Sequence, residues 1–521
     1  MFALRNLKKI RIVVSLFFFV SLSVLFLDPT QSIPVSVMGF FTSLQLLPVI
    51  TRTIVYIGAS TFGLLFLLAL TLLFGRVYCS TLCPLGTLQD IVIHLEKKFH
   101  KRKRFAYIPP PFHFHYGLFG VMVLLFLIGS IAFLNLFEPF SNYGRILTNL
   151  FEPGVILANN ILADFFEYFQ IFFFYHISYR EISFSFLSLP VLFLGIITYM
   201  SYKHGRLFCN SLCPAGALLS IFSRVSLFRI VFDEDSCNGC GACERVCKAR
   251  CIKSEEKRVE YGACINCFNC IKSCPTEGVT YRAVWQKTKK TTIDVNTARR
   301  TFLQDASTSV AGFALPAVMR NTTANSTTNN YFIDKMHPVS PPGSEGVDHF
   351  SRLCTACHLC VSACPSQVLA PSLFDYGIAG LFQPKMNYNA SYCNYDCTIC
   401  SQVCPSGAIL PVDAGTKKRI QIGKVNFFRD DCVVVTKKKA CAACSEHCPT
   451  KAVHTVPYEG KLLIPEVNNE ICVGCGACEH ACPTTPRKAI YVSSNYRHLE
   501  AKKPEVKQQQ PIFDPNSDFP F

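Results

Sequence analysis

An α-helical membrane part followed by small α+β modules built on cysteine quartets is the architecture that the sequence predicts, and two observations predict it. Half of the 521 residues are apolar, and the long apolar runs crowd before about residue 230. The chain also carries 29 cysteines, most of them after that point. Disulfide frameworks of this density belong to short secreted chains, so tight C-x2-C spacing in a chain this long reads as metal binding. The formal net charge of +16 raises nucleic acid or an acidic membrane surface as a partner. Arg5, Lys8, Lys9 and Arg11 precede the first apolar run, and Lys97, Lys98, Lys101, Arg102, Lys103 and Arg104 share one short loop. That placement follows the positive-inside rule, and no nucleic-acid motif accompanies it, so the membrane is the expected partner.

About four transmembrane helices are expected in residues 1–230, from Ile12 to Leu27, Ile54 to Phe74, Tyr116 to Phe137 and Phe184 to Met200, because a crossing needs about 20 apolar residues. With the N-terminus inside, the basic loop around Arg102 also falls inside. The segment from Glu138 to Glu181 then faces outward. Asp164 and Glu167 argue against a crossing between Gly154 and Ile177, and the aromatic run from Phe165 to Tyr175 suits an interfacial helix.

The second and fourth crossings are each followed by the same sequence. Gly75-Arg-Val-Tyr-Cys79-Ser-Thr-Leu-Cys83-Pro-Leu-Gly matches Gly205-Arg-Leu-Phe-Cys209-Asn-Ser-Leu-Cys213-Pro-Ala-Gly. C-x3-C places two thiols one turn apart on a helix face. A redox or cluster-binding site shared by Cys79, Cys83, Cys209 and Cys213 is one reading, and a structural turn is the other.

The bacterial ferredoxin run is C-x2-C-x2-C-x3-C-P, in which the fourth thiolate of each motif ligates the other cluster of a two-cluster domain. It occurs as Cys237, Cys240, Cys243, Cys247 and as Cys264, Cys267, Cys270, Cys274, giving a bacterial-ferredoxin-like domain over residues 231–285. That rule assigns Cys274 to the first cluster and Cys247 to the second. Lys248 stands where the first motif should have proline, and Cys251 is left over.

Four more quartets fill residues 346–500: Cys354, Cys357, Cys360, Cys364; Cys393, Cys397, Cys400, Cys404; Cys432, Cys441, Cys444, Cys448; and Cys472, Cys475, Cys478, Cys482. All end in Cys-Pro, and Val368, Ala408, Ala452 and Ala489 are the apolar residues that restart the chain after each. Lys437, Lys438 and Lys439 mark the insertion before Cys441 as a solvated loop. Sharing among these four motifs can run between neighbours or be nested. Six 4Fe-4S clusters are therefore expected, and a third thiolate after two residues speaks against zinc, whose ribbons separate two C-x2-C pairs by a long loop. Cys354-Thr-Ala-Cys357-His358 matches the c-type haem motif, but both cysteines belong to a full ferredoxin run. His113, His115, His176 and His204, at the ends of crossings, read as interfacial rather than as haem or quinone ligands.

Residues 286–345 contain Thr297-Ala-Arg299-Arg300-Thr-Phe-Leu303, similar to a twin-arginine export signal, then an Asn/Thr/Ser/Pro-rich linker. Export of a folded domain suits clusters inserted in the cytoplasm. Residues 501–521 read as a disordered tail.

To about residue 285, with its crossings, two C-x3-C-P motifs and two-cluster domain, the chain resembles the NapH-type membrane ferredoxins of nitrate respiration. The rest, with Arg299-Arg300 and four quartets, resembles the NapG-type periplasmic ferredoxin, as if the two were fused. The resemblance implies a multi-pass protein of the bacterial cytoplasmic membrane, with residues 231–285 cytoplasmic and 346–500 periplasmic. It further implies an electron-transfer subunit, a quinol dehydrogenase that passes electrons from menaquinol in the quinone pool to a periplasmic or membrane partner such as a cytochrome or reductase. No catalytic triad, phosphate loop or acid/base pair is needed. The alternative is a maturation factor that supplies electrons to a respiratory metalloenzyme. Quinol diffusing within the bilayer, or the C-x3-C site, is what could connect clusters on opposite sides of a hydrocarbon core about 30 Å thick.

Overall fold

The computed structural model describes residues 2–28, 32–100, 105–179, 184–284 and 338–503. Lys101 to Arg104, the Arg299-Arg300 segment with most of its linker, and nearly all of the expected tail lie outside the described residues.

The first part is helical: α1 (Phe2–Leu27), α2 (Val35–Ser43), α3 (Leu46–Val55), α4 (Ala59–Phe74), α5 (Tyr78–Thr81), α6 (Pro84–His100), α7 (Phe112–Ile128), α8 (Ala132–Phe137), α9 (Pro139–Ile146), a π-turn (Leu147–Phe151), α10 (Glu152–Tyr168), α11 (Phe184–His204), α12 (Leu207–Ser211) and α13 (Pro214–Ser223). Two stretches are helical, apolar and long enough to cross a bilayer, Asn6–Leu27 and Pro139–Tyr168; α2 and α3, bent by 102°, make a third if the pair is one span. The four expected crossings are thus modified. Gly129, with φ +103°, ends α7 and separates it from α8, which splits the run expected from Tyr116 to Phe137. The second run starts only at Ala59, because Val55 closes α3. At about 1.5 Å per residue α4 and α7 reach about 24 and 26 Å, less than a hydrocarbon core of about 30 Å. The fourth run lies within α11.

The outward segment also differs from its expectation, since α9 to α10 forms one long apolar stretch. Asp164 and Glu167, the charges that spoke against a crossing, sit near its end and pair with His176 at 3.3 and 3.6 Å, outside the apolar middle. Large apolar side chains are exposed on several helices, among them Val13, Phe17 and Val20 of α1, Phe62 and Phe66 of α4, and Leu192 and Ile196 of α11. Exposed rows of this size mark a surface built for an apolar surrounding.

The cysteine-rich parts follow, with short helices and two-stranded antiparallel sheets. In the first, β1 (Phe228–Phe232) pairs with β4 (Val279–Ala283), Phe228 opposite Ala283, and β2 (Ile252–Lys253) pairs with β3 (Arg258–Val259). In the second, β5 (Leu369–Pro371) pairs with β6 (Pro384–Met386), β7 (Ile420–Phe427) with β10 (Ile490–Glu500), and β8 (Val453–Pro457) with β9 (Leu463–Val467). The second part begins earlier than residue 346, since Val339 is in its core and Ser340 is fully buried. At its other end Ala501 is buried and donates its N–H to the Arg419 carbonyl.

Helix α1 runs between the two cysteine-rich parts. Near its start Lys8 lies by Lys272, Lys248 and Cys267 of the first. Near its end Leu22, Leu25 and Phe26 pack into the core of the second, together with Cys354 and Cys357.

His498 of β10 bonds Ser340 Oγ at 3.0 Å, and burial, with His349 nearby, pushes its pKa down to about 4. The unfolded chain therefore binds a proton between pH 6.5 and 4 that the folded chain refuses, so stability falls as the pH falls through that window. His498→Gln is expected to flatten this part of the pH–stability curve, as read by hydrogen exchange of β7 and β10.

Candidate iron-sulfur centres

Each ferredoxin-type run folds as a loop that ends in one turn of helix, and the thiols of two runs meet in pairs. In the first cysteine-rich part, burial, with Cys237 and Cys274 close by, pushes the Cys243 thiol up to about 11. Burial and then Cys267, Cys264 and Cys247 push Cys270 well up. Each run thus meets the last cysteine of the other. Cys251, left over in the sequence, is buried with its Sγ 3.6 Å from that of Cys247, so a fifth thiol lines the second position. Lys248 replaces proline because both its ends are used. Its carbonyl accepts the Arg206 N–H, and its Nζ lies 3.0 Å from Asp90.

In the second part the exchange is between neighbours, not nested. Burial, then Cys354, Cys357, Cys404 and Cys400, push Cys360 up. A cavity of about 340 Å³ is lined by Cys364, Cys393, Cys397 and Cys400. Another of about 330 Å³ is lined by Cys432, Cys441, Cys444 and Cys482. Burial, then Cys475, Cys472 and Cys448, push Cys478 up. Lys437 to Lys439 are exposed, and Val368, Ala408, Ala452 and Ala489 are all buried behind their motifs. Thiols this hard to ionise become thiolates when a metal replaces the proton.

All 29 cysteines are free thiols. Among the described residues no three cysteine sulfurs come within 4.8 Å of one another. A tetrahedral zinc ion, with Zn–S of about 2.3 Å, would hold its sulfurs about 3.8 Å apart, so the quartets are spaced for something larger. The haem reading fails on His358. Its Nδ1 is 3.3 Å from Asn149 Nδ2 and its Nε2 2.8 Å from the Phe382 carbonyl, which leaves no nitrogen for iron.

The sequence repeat closes on itself in space. Cys79, Cys83, Cys209 and Cys213 are all buried in one core with Cys267. Arg76 Nη2 donates to the Cys209 carbonyl at 2.9 Å, and Arg206 Nη1 donates to the Cys79 carbonyl at 3.0 Å, so each copy's arginine holds the other copy's backbone. A Cβ on Gly86 would stand 2.4 Å from the Cys79 carbonyl and 2.6 Å from Arg206; on Gly216 it would stand 2.1 Å from the Cys209 carbonyl and 2.9 Å from Arg76. Asp90 gathers Arg11 at 2.8 Å, Arg206 at 2.9 Å and Lys248 at 3.0 Å. Burial disfavours its charge, but Arg206, Lys248 and Arg11 outweigh that and hold the carboxyl well below the usual range. Of the four histidines near the helix ends, His115 bonds the Cys213 carbonyl at 2.9 Å, His176 pairs with Asp164 and Glu167, and His113 and His204 are likewise engaged.

Comparison with known proteins agrees with these thiol sites. A family described as a 4Fe-4S binding domain matches residues 57–102 and 185–232, one copy of the repeat each. Families described as 4Fe-4S dicluster domains match residues 229–292, 353–409 and 439–485. The methylamine utilization ferredoxin-type protein MauM of Methylorubrum extorquens is 31% identical over 28% of this chain and 67% of its own. The chain belongs to the ferredoxin-type 4Fe-4S proteins. The ferredoxin-type protein NapF of Escherichia coli is 26% identical over 30% of this chain and 87% of its own. A putative electron transport protein of the same organism, YccM, is 28% identical over 40% of this chain and 51% of its own. No solved structure matches. The protein is thus an iron-sulfur electron-transfer protein with several 4Fe-4S ferredoxin domains and helices apolar enough for membrane association.

Sequence reasoning passed over Arg76, Arg206, Gly86, Gly216 and Asp90. The first four were visible as invariant positions of the repeat, whereas Asp90 falls outside it, opposite Ser220 in the second copy, and carried no signal.

Gly216→Ala is expected to cost about 1–3 kcal/mol, since its methyl has to displace backbone or Arg76; Ala at exposed Gly460 serves as the control in thermal unfolding. Asp90→Asn leaves three buried cations without their carboxylate and is expected to cost about 3–5 kcal/mol. Faster proteolytic release of the first ferredoxin domain would report it.

Proposed function

We propose that this protein conducts electrons through a membrane, taking them from menaquinol and delivering them through 4Fe-4S clusters to a redox partner on the side of the second ferredoxin region. The observation that carries this reading is the position of the two cysteine-rich parts at opposite ends of α1. From Lys8 to Phe26 that helix covers about 27 Å, close to a hydrocarbon core of about 30 Å. With the basic N-terminus inside, residues 231–285 are cytoplasmic and the second region periplasmic, in the bacterial cytoplasmic membrane, and α1, α4, α7 and α11 serve as the four crossings.

The ligand sets follow the paired geometry. Cys237, Cys240, Cys243 and Cys274 hold one cluster, and Cys264, Cys267, Cys270 and Cys247 the next. In the second region the sets are Cys354, Cys357, Cys360 with Cys404; Cys393, Cys397, Cys400 with Cys364; Cys432, Cys441, Cys444 with Cys482; and Cys472, Cys475, Cys478 with Cys448. Bound there, the clusters supply one-electron redox steps at potentials set by hydrogen bonds, charge and exposure. The chain's own contribution is to exclude water and to hold each thiol in register.

A place for the quinol headgroup lies between α9, α11 and the second region, in a cavity of about 320 Å³ lined by Asn142, Arg145, Asn149, Phe193, His358 and Phe382. That size is at the lower end for ligand pockets. Arg145 is buried and its Nη1 has no partner, so a donor is available to a quinone oxygen. The neighbouring residue Gly144 stands against the Cys357 carbonyl, beside the first cluster of that region.

Anaerobic EPR of the purified chain titrated with a menaquinol analogue tests the reading: cluster signals are expected to appear, and clusters that dithionite reduces but quinol never does would overturn it. Arg145→Gln should raise KM for quinol at least tenfold with iron content unchanged. Cys404→Ser should remove or alter the cluster of Cys354, Cys357 and Cys360, leaving that of Cys393, Cys397 and Cys400 intact; Cys364→Ser should do the reverse.

A further inference from the structure

The repeat-derived thiols carry an inference that neither copy supports alone. Each copy supplies two sulfurs, and the reciprocal arginine contacts bring all four into one buried place, each 4 to 5% exposed. Cys213 caps α13, its sulfur accepting the Gly216 N–H at 3.3 Å, and Cys83 accepts from Gly86 at the start of α6 in the same way. Arg76 Nη2 and Arg206 Nη1 each stand 3.9 Å from the sulfur three residues on, Cys79 and Cys209. Helix N-termini and guanidinium groups both favour thiolate over thiol.

The charges are unequal in a way that asks for an anion. Arg206 has Asp90 as its counter-charge. The equivalent position in the other copy is Ser220, and Arg76 bonds only neutral oxygens, Asn210 Oδ1 at 2.8 Å and the carbonyls of Gly262 and Cys209, besides the Cys79 sulfur. Among the described residues no carboxylate reaches it. Its side chain is fully buried and its Nε has no partner. A buried cation without its counter-charge is strongly unfavourable, and a cubane core ligated by four thiolates is a net dianion. The sulfurs are too far apart for one zinc ion, as in the ferredoxin quartets.

We propose that Cys79, Cys83, Cys209 and Cys213 together hold a seventh 4Fe-4S cluster, charge-balanced by Arg76 and Arg206, that relays electrons between the two ferredoxin regions. Along α1 the site lies between them. Arg11 bonds the Ser80 carbonyl, Ser15 meets Thr87 at 2.9 Å, and Phe18 packs on the cores that contain the four thiols and Cys357. One electron leaves a reduced cluster of one region, which is oxidised, and reduces the four-thiol cluster; the same electron then passes to an oxidised cluster of the other, and no proton or bond is exchanged. The relay role rests on the cluster assignments of the proposed function, whereas the presence of the seventh cluster does not.

The test is iron and acid-labile sulfide on the full chain, purified anaerobically, for wild type and for Cys79→Ser/Cys213→Ser. Wild type is expected to hold about 28 iron atoms and the double variant about 24, at four per cluster, with the other EPR signals unchanged. Equal iron in both, or zinc at the four thiols, overturns the proposal. Absence of the other six clusters overturns the ligand assignments instead. If the double variant does not assemble, Arg76→Gln decides: with full iron content, one centre alone should fall in reduction potential and Arg76→Lys should restore it, while potentials that all stay put overturn the proposal.

Discussion

The interaction on which the rest depends is the crossed clasp of Arg76 and Arg206, each guanidinium bonded to the backbone of the other copy of the repeat. A carbonyl inside a helical core has few partners once its own turn is broken, and a charged donor from the symmetric copy satisfies it without water. The clasp fixes the distance between α5 and α12, brings four thiols together and forbids a side chain at Gly86 and Gly216. It also reaches outward. Arg76 holds the Gly262 carbonyl and Asn210 reaches the carbonyls of Ala249 and Ala263, so the same residues that join the copies dock the first ferredoxin domain.

Asp90 extends that lock to the N-terminus of the chain. Three cations from α1, the α11–α12 corner and the ferredoxin domain converge on one buried carboxylate. Such groups are tolerated in a low-dielectric interior only when mutually paired. The arrangement makes α1 a common axis, polar where it meets the repeat and apolar where Leu22, Leu25 and Phe26 enter the second region.

In that second region the core is made of sulfur as much as hydrocarbon. Elements of three to eleven residues cannot bury a continuous apolar face, and the thiols of neighbouring motifs occupy its centre. The long seam of β7 and β10, with Ile490 opposite Phe427, joins the third and fourth motifs, and the Cys393 N–H bonded to the Cys475 carbonyl ties the first pair of motifs to the second.

Much of this was legible because cysteine spacing is a local property. A C-x2-C-x2-C-x3-C-P run predicts ferredoxin-type 4Fe-4S domains without reference to the rest of the fold, and the family comparisons agree. The doubled Gly-Arg-x2-Cys-x3-Cys-Pro was equally plain, as was the apolar character of the first part. Helix ends were less so, since hydropathy does not register the left-handed turn at Gly129 or the bend between α2 and α3. What the sequence by itself determined is therefore the chemistry of each motif. Which motifs share thiols, why Lys248 replaces a proline, and where the buried charges of Arg76 and Asp90 find or lack a partner were decided only by tertiary structure. The physical reason is that these are contacts between residues 79 to 186 positions apart, and nothing local in the chain encodes them.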